Sequence, residues 1–150
     1  MIMTQQSGKT VSHMDDRLNI KCWDIYMADI PLLKGSRKQC GLRPVLILSN
    51  DNCLKHSDYI TVIPFTTKVK RLMPTHLFFN DILAEKVGLK SESVLVCEQI
   101  NGLDTKDLRW KIGSITDKSI QSAITRKALI QMLGNYDLNY ISDEFLNHPF

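Results

Sequence analysis

Short segments in which apolar and polar residues alternate recur along the chain, and a period of two is typical of β-strands with one buried face. In residues 21–29, Trp23, Ile25 and Met27 alternate with smaller or more polar neighbours. Other segments are rich in β-branched and aromatic residues or run continuously apolar, as VLIL does after Pro44, and these patterns also favour strands. We predict strands at residues 21–29, 44–48, 59–65, 75–79, 93–100 and 110–115.

One amphipathic helix is predicted late in the chain. Thr116 or Asp117 can cap its start, and Gly134 follows the last periodic residue, where helices often end in a glycine. Many short strands followed by one helix indicate a mainly β (α+β) fold, a small barrel of mostly antiparallel strands with a C-terminal helix. The apolar stripe of the helix comprises Ile120, Ala123, Ile124, Ala128 and Met132, with Leu129 and Leu133 beside it.

The 150 residues suffice for one domain with a substantial core. Residues 1–19 are polar and lack periodicity, so we predict a flexible N-terminal extension. The folded domain is expected to span residues 20–134, with residues 135–150 as a C-terminal tail. Loops at residues 32–42 and 66–73 are long and basic, and long loops in compact domains are often functional.

Composition narrows the class of protein without selecting a partner. The chain is 43% apolar and 23% charged, with a net charge of +3, which permits a nucleic-acid partner without requiring one. No apolar run approaches the length of about 18 residues that a membrane-spanning helix needs. We therefore expect no contact with a membrane. None of the four cysteines forms a C-x-x-C pair, and we expect free thiols and a cytoplasmic location.

Several common catalytic motifs can be set aside. The SGKT sequence at residues 7–10 resembles the end of a phosphate-binding loop, but Met3 occupies the position of its first glycine. The histidines lack metal-ligand spacing, and no G-x-S-x-G elbow is present. We therefore predict no metal site and no cofactor.

The sequence CGLRPVLILSND, residues 40–51, places Arg43 at the mouth of a predicted buried strand. A permanently charged guanidinium at that position needs an explanation, because burying an unpaired charge is costly. The local sequence leaves two explanations open, a functional role for Arg43 and a surface ion pair with Asp29 or Asp51.

The longer stretch GSRKQCGLRPVLILSND resembles the signature of the MazF/PemK toxins, the mRNA endoribonucleases of bacterial toxin–antitoxin pairs. Further segments resemble the family in the same order, from residue 20 to residue 134. These segments are WDIYMADI, ITVIPFTTKVKRLMPTH, GLKSESVLVCEQINGLD and IGSITDKSIQSAITRKALIQMLG.

The resemblance implies an SH3-like, CcdB-type barrel that forms a homodimer, with single-stranded RNA bound in a groove at the dimer interface. It implies sequence-selective, metal-independent cleavage of mRNA, in which the ribose 2′-hydroxyl attacks the adjacent phosphate and leaves a 2′,3′-cyclic phosphate. It also implies inhibition by a cognate antitoxin protein. Arg43 and Thr66 would be the catalytic residues. The RNA-binding residues would be Ser36, Lys68, Lys70, Gln99 and His76.

Some assignments stay open at this point. Relatives often carry an acidic residue after Gly-Ser, whereas Arg37 and Lys38 follow Ser36 here. The general base is therefore unassigned, with Glu98 and His76 as possible substitutes. The alternative function is a non-catalytic CcdB-like barrel that binds a protein target or serves as a DNA-binding or regulatory partner. The alternative roles are a turn hydroxyl for Thr66, a solvated basic loop for residues 68–71 and a strand-edge contact for Gln99.

Overall fold

The computed structural model describes residues 19–69 and 71–133, and the elements named here belong to that part of the chain. The strands are β1 Asp24–Ile30, β2 Gly41–Ile47, β3 Tyr59–Thr66, β4 His76–Phe79, β5 Ser93–Val96, β6 Asn101–Asp104 and β7 Leu108–Ser114. The helices are α1 Asp51–His56, α2 Asp81–Val87 and α3 Lys118–Leu133, and a 3₁₀ turn spans Thr105–Asp107.

The strands form one antiparallel sheet in the order β4-β5-β3-β2-β1-β7, with β6 paired to β3. A mainly β fold with a C-terminal helix is therefore confirmed. The predicted closure into a barrel is wrong for the described strands, because no pairing joins β4 to β7. Helix α2 instead contacts both of these end strands, so a helix occupies the gap that further strand pairing would have closed.

Both faces of the sheet are buried at the apolar end of β2, as its continuous apolar run predicts. Leu46 faces one core, which contains Phe65 and Phe79 from the sheet and Ile124 from α3. Val45 and Ile47 face the other core, which Leu54 from α1 helps to cover. The alternation of these neighbours between two cores fixes the register of β2, because a slip of one residue would exchange the two sets.

Two short helices were not predicted. Helix α1 replaces the turn expected after β2, and Asn50 begins it by accepting a hydrogen bond from the amide of Cys53 at 2.9 Å. Helix α2 begins in the same way at Asn80, whose side chain accepts from the amide of Leu83 at 2.9 Å. The available signal in the sequence was the asparagine at each helix start, a residue that commonly caps helices. Helices this short, however, show little of the period of 3.6 residues that identifies a helix.

The strand predicted at residues 93–100 is shorter than expected, and a further strand, β6, was not predicted because it lies wholly after that range. β5 ends at Val96, and the amide of Gln99 donates to the carbonyl oxygen of Val96 at 2.9 Å, which closes a turn before β6. The amide of Cys97 donates to the carbonyl of Thr75 at 3.1 Å, which continues the register of β4 and β5 by one residue. β5 therefore ends at the turn that the Gln99 amide closes.

Helix α3 agrees with the prediction at its start. Asp117 accepts hydrogen bonds from the amides of Ser119 and Ile120. Ile124 and Ala128 are buried, but Met132 is 59% exposed, so the apolar stripe ends earlier than predicted. Gly134, residues 1–18 of the extension predicted at residues 1–19, and the tail at residues 135–150 lie outside the described residues. Among the described helices, none combines the length and the apolar character needed to cross a bilayer.

Candidate active site

Arg43 lies on β2 and Thr66 ends the neighbouring strand β3. β2 and β3 pair antiparallel with Val45 opposite Pro64 and Leu46 opposite Ile63. Extending this register by two residues places Arg43 opposite Thr66, at the ends of their strands. Two residues that are 23 positions apart in sequence thus come to the same end of the β2–β3 pair.

The Arg43 guanidinium is anchored by backbone and amide oxygens. Its Nε donates to the carbonyl of Cys40 at 2.9 Å, and its Nη1 donates to the side-chain oxygen of Gln39 and to the carbonyl of Phe65 at 3.4 Å. Burial lowers the pKa of Arg43 from its ordinary value, but an arginine starts so high that it stays protonated near neutral pH. The result is a fixed positive charge.

The surface ion pair considered for Arg43 is not formed. Asp29 instead lies 3.4 Å from Arg109. The Asp51 carboxylate accepts a hydrogen bond from the amide of Cys22 at 2.8 Å. Within the described residues, the acceptors of Arg43 are neutral oxygens, so its charge is oriented without being neutralised.

Thr66 ends β3 and is only 8% exposed. Its Oγ1 accepts a hydrogen bond from the amide of Lys68 at 3.2 Å, which leaves the hydroxyl proton available for donation. Phe65, the preceding residue, packs edge-on against Phe79 with ring centroids 5.3 Å apart. This contact holds the end of β3 in place.

Arg43, Thr66 and Lys68 line one cavity of about 370 Å³. Its floor crosses β7, β1, β2 and β3, and its wall is the loop after α2. Lys90 adds a further cation to this lining. Within the part of the chain that the structure describes, no residue that lines the cavity carries a carboxylate, an imidazole or a thiol. The remaining lining residues are Met27, Leu42, Pro44, Phe65, Thr67, Gly88, Leu89, Ser91, Ser93, Trp110 and Ile112.

Three other predicted site residues lie outside this cavity lining. Ser36 is exposed in the β1–β2 connection, where its hydroxyl accepts from the amide of Lys38 at 3.1 Å. The Gln99 side chain accepts from the amide of Gln39 at 2.9 Å, so it holds the residue that contacts Arg43. His76 begins β4. Lys70 lies outside the described residues.

Glu98 and His76, the candidates for a general base, are hydrogen-bonded to each other. The Glu98 carboxylate is 2.8 Å from His76 Nε2 and accepts from the Thr75 hydroxyl at 2.9 Å. Because His76 Nδ1 accepts from the amide of Met73 at 3.0 Å, the ring proton belongs on Nε2. Burial alone would raise the pKa of Glu98, but the hydrogen bonds it accepts lower that pKa below its ordinary value. Both groups thus organise the loop before β4.

The sequence did not single out Gln39, Lys90 or Trp110. Gln39 lies four residues before Arg43 and bonds its Nη1, whereas Lys90 and Trp110 reach the cavity from distant parts of the chain. A close approach of backbones brings the loop after α2 to β7, since a Cβ added to Gly113 would lie 1.9 Å from the carbonyl oxygen of Val87. No local pattern marks such a contact.

Comparison with known proteins gives consistent matches. A family model of PemK-like, MazF-like toxins of type II toxin–antitoxin systems matches residues 21–133. Endoribonuclease MazF of Staphylococcus saprophyticus is 36% identical over 99 residues, which are 65% of this chain and 79% of that protein.

Solved structures extend the match to the fold. The Mycobacterium tuberculosis toxin MazF-mt6 has a TM-score of 0.60 and 26% identity, over 75% of this chain and 99% of that one. An endoribonuclease from a mycobacterial species, in complex with its cognate antitoxin, has a TM-score of 0.60 and 19% identity over 79% of this chain and 99% of that one. The second likeness supports the fold alone.

Proposed function

Because the chain belongs to the PemK-like, MazF-like toxins of type II toxin–antitoxin systems, we propose that it is an endoribonuclease toxin that cleaves single-stranded mRNA at selected sequences. The observation that carries this proposal is the cavity that Arg43, Thr66 and Lys68 share. A site for a polyanion needs positive charge that acidic groups do not cancel, and this lining meets that condition within the described residues.

The proposed reaction needs no redox partner. The ribose 2′-oxygen attacks the adjacent phosphorus and loses its proton, and the bond from phosphorus to the 5′-oxygen breaks. The departing 5′-oxygen takes up a proton, so the products carry a 2′,3′-cyclic phosphate and a 5′-hydroxyl. Negative charge rises on the phosphate oxygens in the transition state, where donors fixed in advance stabilise it most effectively.

Arg43 and Thr66 are assigned the role of stabilising the negative charge on the phosphate oxygens in the transition state. The anchored guanidinium supplies N–H donors whose orientation does not have to be organised during the reaction. The Thr66 hydroxyl, which already accepts from the Lys68 amide, supplies a second donor. Lys68 and Lys90 bind the flanking phosphates, which sets the position of the RNA and makes binding dependent on salt.

The decisive experiment incubates the purified protein with long single-stranded RNA in excess EDTA, beside the matched Arg43→Ala variant. Cleavage by the wild type, with 5′-hydroxyl ends that accept phosphate without prior phosphatase treatment, is the expected result. Absence of cleavage by antitoxin-free wild-type protein would instead favour the non-catalytic binding module. Products with 5′-phosphate ends would contradict the 2′-hydroxyl mechanism.

The proposal includes a homodimer. Leu32 is 73% exposed and Leu33 60% exposed in the connection between β1 and β2, and adjacent apolar side chains of this size are candidates for contact with a second copy. Light scattering of the purified protein tests this assignment, and a monomer at micromolar concentration would contradict it.

The remaining partners follow from the family. A cognate antitoxin with an acidic and apolar segment would complement the cations and apolar side chains of the cavity and compete with RNA there. A cytoplasmic location, where mRNA is available, completes the proposal. Addition of the antitoxin should abolish both RNA binding and cleavage, and inhibition of cleavage with RNA still bound would argue against competition.

A further inference from the structure

Trp110 lies on the end strand β7 with 52% of its surface exposed, although it also lines the cavity of Arg43. Trp110 pairs with Met27 on β1, and Met27 pairs with Pro44 on β2. The three residues therefore form a continuous apolar strip across three strands, which leads from the indole to the position beside Arg43. With strands spaced about 4.8 Å apart, the strip is roughly 10 Å long.

The charges around this strip differ between the two faces of β7. Arg109 and Lys111, the neighbours of Trp110, are engaged with Asp29 at 3.4 Å and Asp24 at 3.1 Å. On the cavity side, the cations are Arg43, Lys68 and Lys90, and the lining carries no carboxylate within the described residues. An exposed indole beside uncompensated cations suits a ligand that combines an aromatic ring with negative charge, which is the chemistry of a nucleotide.

We propose that Trp110 is the stacking platform for the base of a nucleotide that flanks the phosphate bound by Arg43. This inference rests on the proposed function and deepens it by assigning a binding residue for one position of the RNA. Every base has a π-face, so stacking positions the strand without demanding one base. Trp110 therefore acts on RNA affinity and KM, while Arg43 acts on the chemical step.

The test uses an RNA oligonucleotide that spans a cut site mapped on long RNA, with a 2′-deoxyribose at the attacking position so that it binds without cleavage. Companion oligonucleotides carry an abasic site on one side or the other of the scissile phosphate. Binding is measured by fluorescence anisotropy for the wild type, Trp110→Ala and Trp110→Phe. Phe78→Ala, which removes an aromatic residue that is 45% exposed outside this cavity, is the matched control.

Loss of one stacked base weakens binding by roughly 5- to 150-fold, and this is the effect expected for Trp110→Ala on the intact oligonucleotide. Trp110→Phe should retain most of the affinity, and Phe78→Ala should bind as the wild type does. One abasic site should weaken the wild type by a similar factor but leave Trp110→Ala nearly unaffected, because the two changes remove the same contact.

Each alternative has its own signature. Equal affinity of Trp110→Ala and wild type, or equal abasic effects in both proteins, would overturn the stacking role while cleavage by the wild type left the nuclease proposal standing. A change in oligomeric state of Trp110→Ala with unchanged RNA affinity per dimer would overturn it in favour of a protein contact. A wild type that neither binds nor cleaves RNA would overturn the proposed function itself.

Discussion

The most informative single substitution is Arg43→Lys, because it keeps the positive charge but removes the planar guanidinium and its fixed arrangement of N–H donors. The guanidinium uses Nε and Nη1 to reach the oxygens of Cys40, Gln39 and Phe65. Nη2 then retains N–H donors that meet no acceptor among the described residues. A lysine ammonium on a flexible stem cannot make these anchoring contacts and present a fixed pair of donors together.

The expected fall in kcat follows from the loss of the fixed N–H donors of Arg43. Loss of one donor that is fixed in advance costs about 10²- to 10³-fold in kcat, or roughly 3 to 4 kcal/mol. We expect Arg43→Lys to lose about 10²-fold in kcat and Arg43→Ala to lose at least as much. Both variants should keep the fold, because Arg43 belongs to neither apolar core.

Initial rates on a fluorogenic RNA oligonucleotide, at saturating substrate, measure the effect on kcat. Arg109→Lys is the control, since this arginine lies on β7 outside the cavity lining and its replacement should leave the rate unchanged. Circular dichroism and melting temperature establish that each variant is folded. An Arg43→Lys variant with near-wild-type kcat would refute the argument that fixed donor geometry, rather than charge alone, drives the reaction.

Three further predictions concern stability and reactivity. Gly113→Ala should lower the free energy of unfolding by roughly 1 to 3 kcal/mol, because the new Cβ would lie 1.9 Å from the Val87 carbonyl oxygen; an unchanged urea midpoint would contradict this. Burial raises the pKa of the Cys97 thiol to about 12, so in the folded protein iodoacetamide should label exposed Cys53 and spare Cys97, and mass spectrometry that finds equal labelling would show the burial to be wrong. The pKa of Glu98 is lowered from 4.5, so its carboxylate stabilises the fold above that value and loses the effect as pH falls through the folded pKa. The difference in urea midpoint between wild type and Glu98→Gln should therefore shrink as the pH falls below the ordinary carboxyl pKa, and a difference independent of pH would refute the assignment.

Sequence patterns predicted the strands well where the signal was local. The alternation in β1 and the continuous apolar run in β2 each depend on a few neighbouring residues, and the structure has strands at both places. Asp117 was predicted as a possible helix cap on the same local basis and accepts the expected hydrogen bonds. Helices α1 and α2, with six and seven residues, are too short to show a period of 3.6, so they were missed.

Residue patterns alone singled out Arg43 as unusual but left its role open, and the family resemblance supplied Thr66. Only the tertiary structure decided that these two residues face the same cavity as Lys90 and Trp110. It also decided that Glu98 and His76 bond each other. The physical reason is that strand propensity and helix caps depend on neighbours along the chain, whereas a cavity depends on the register between strands that are distant in sequence. The open sheet, in which α2 contacts the two end strands and no strand pairing closes a barrel, also depends on contacts between residues that are distant in sequence.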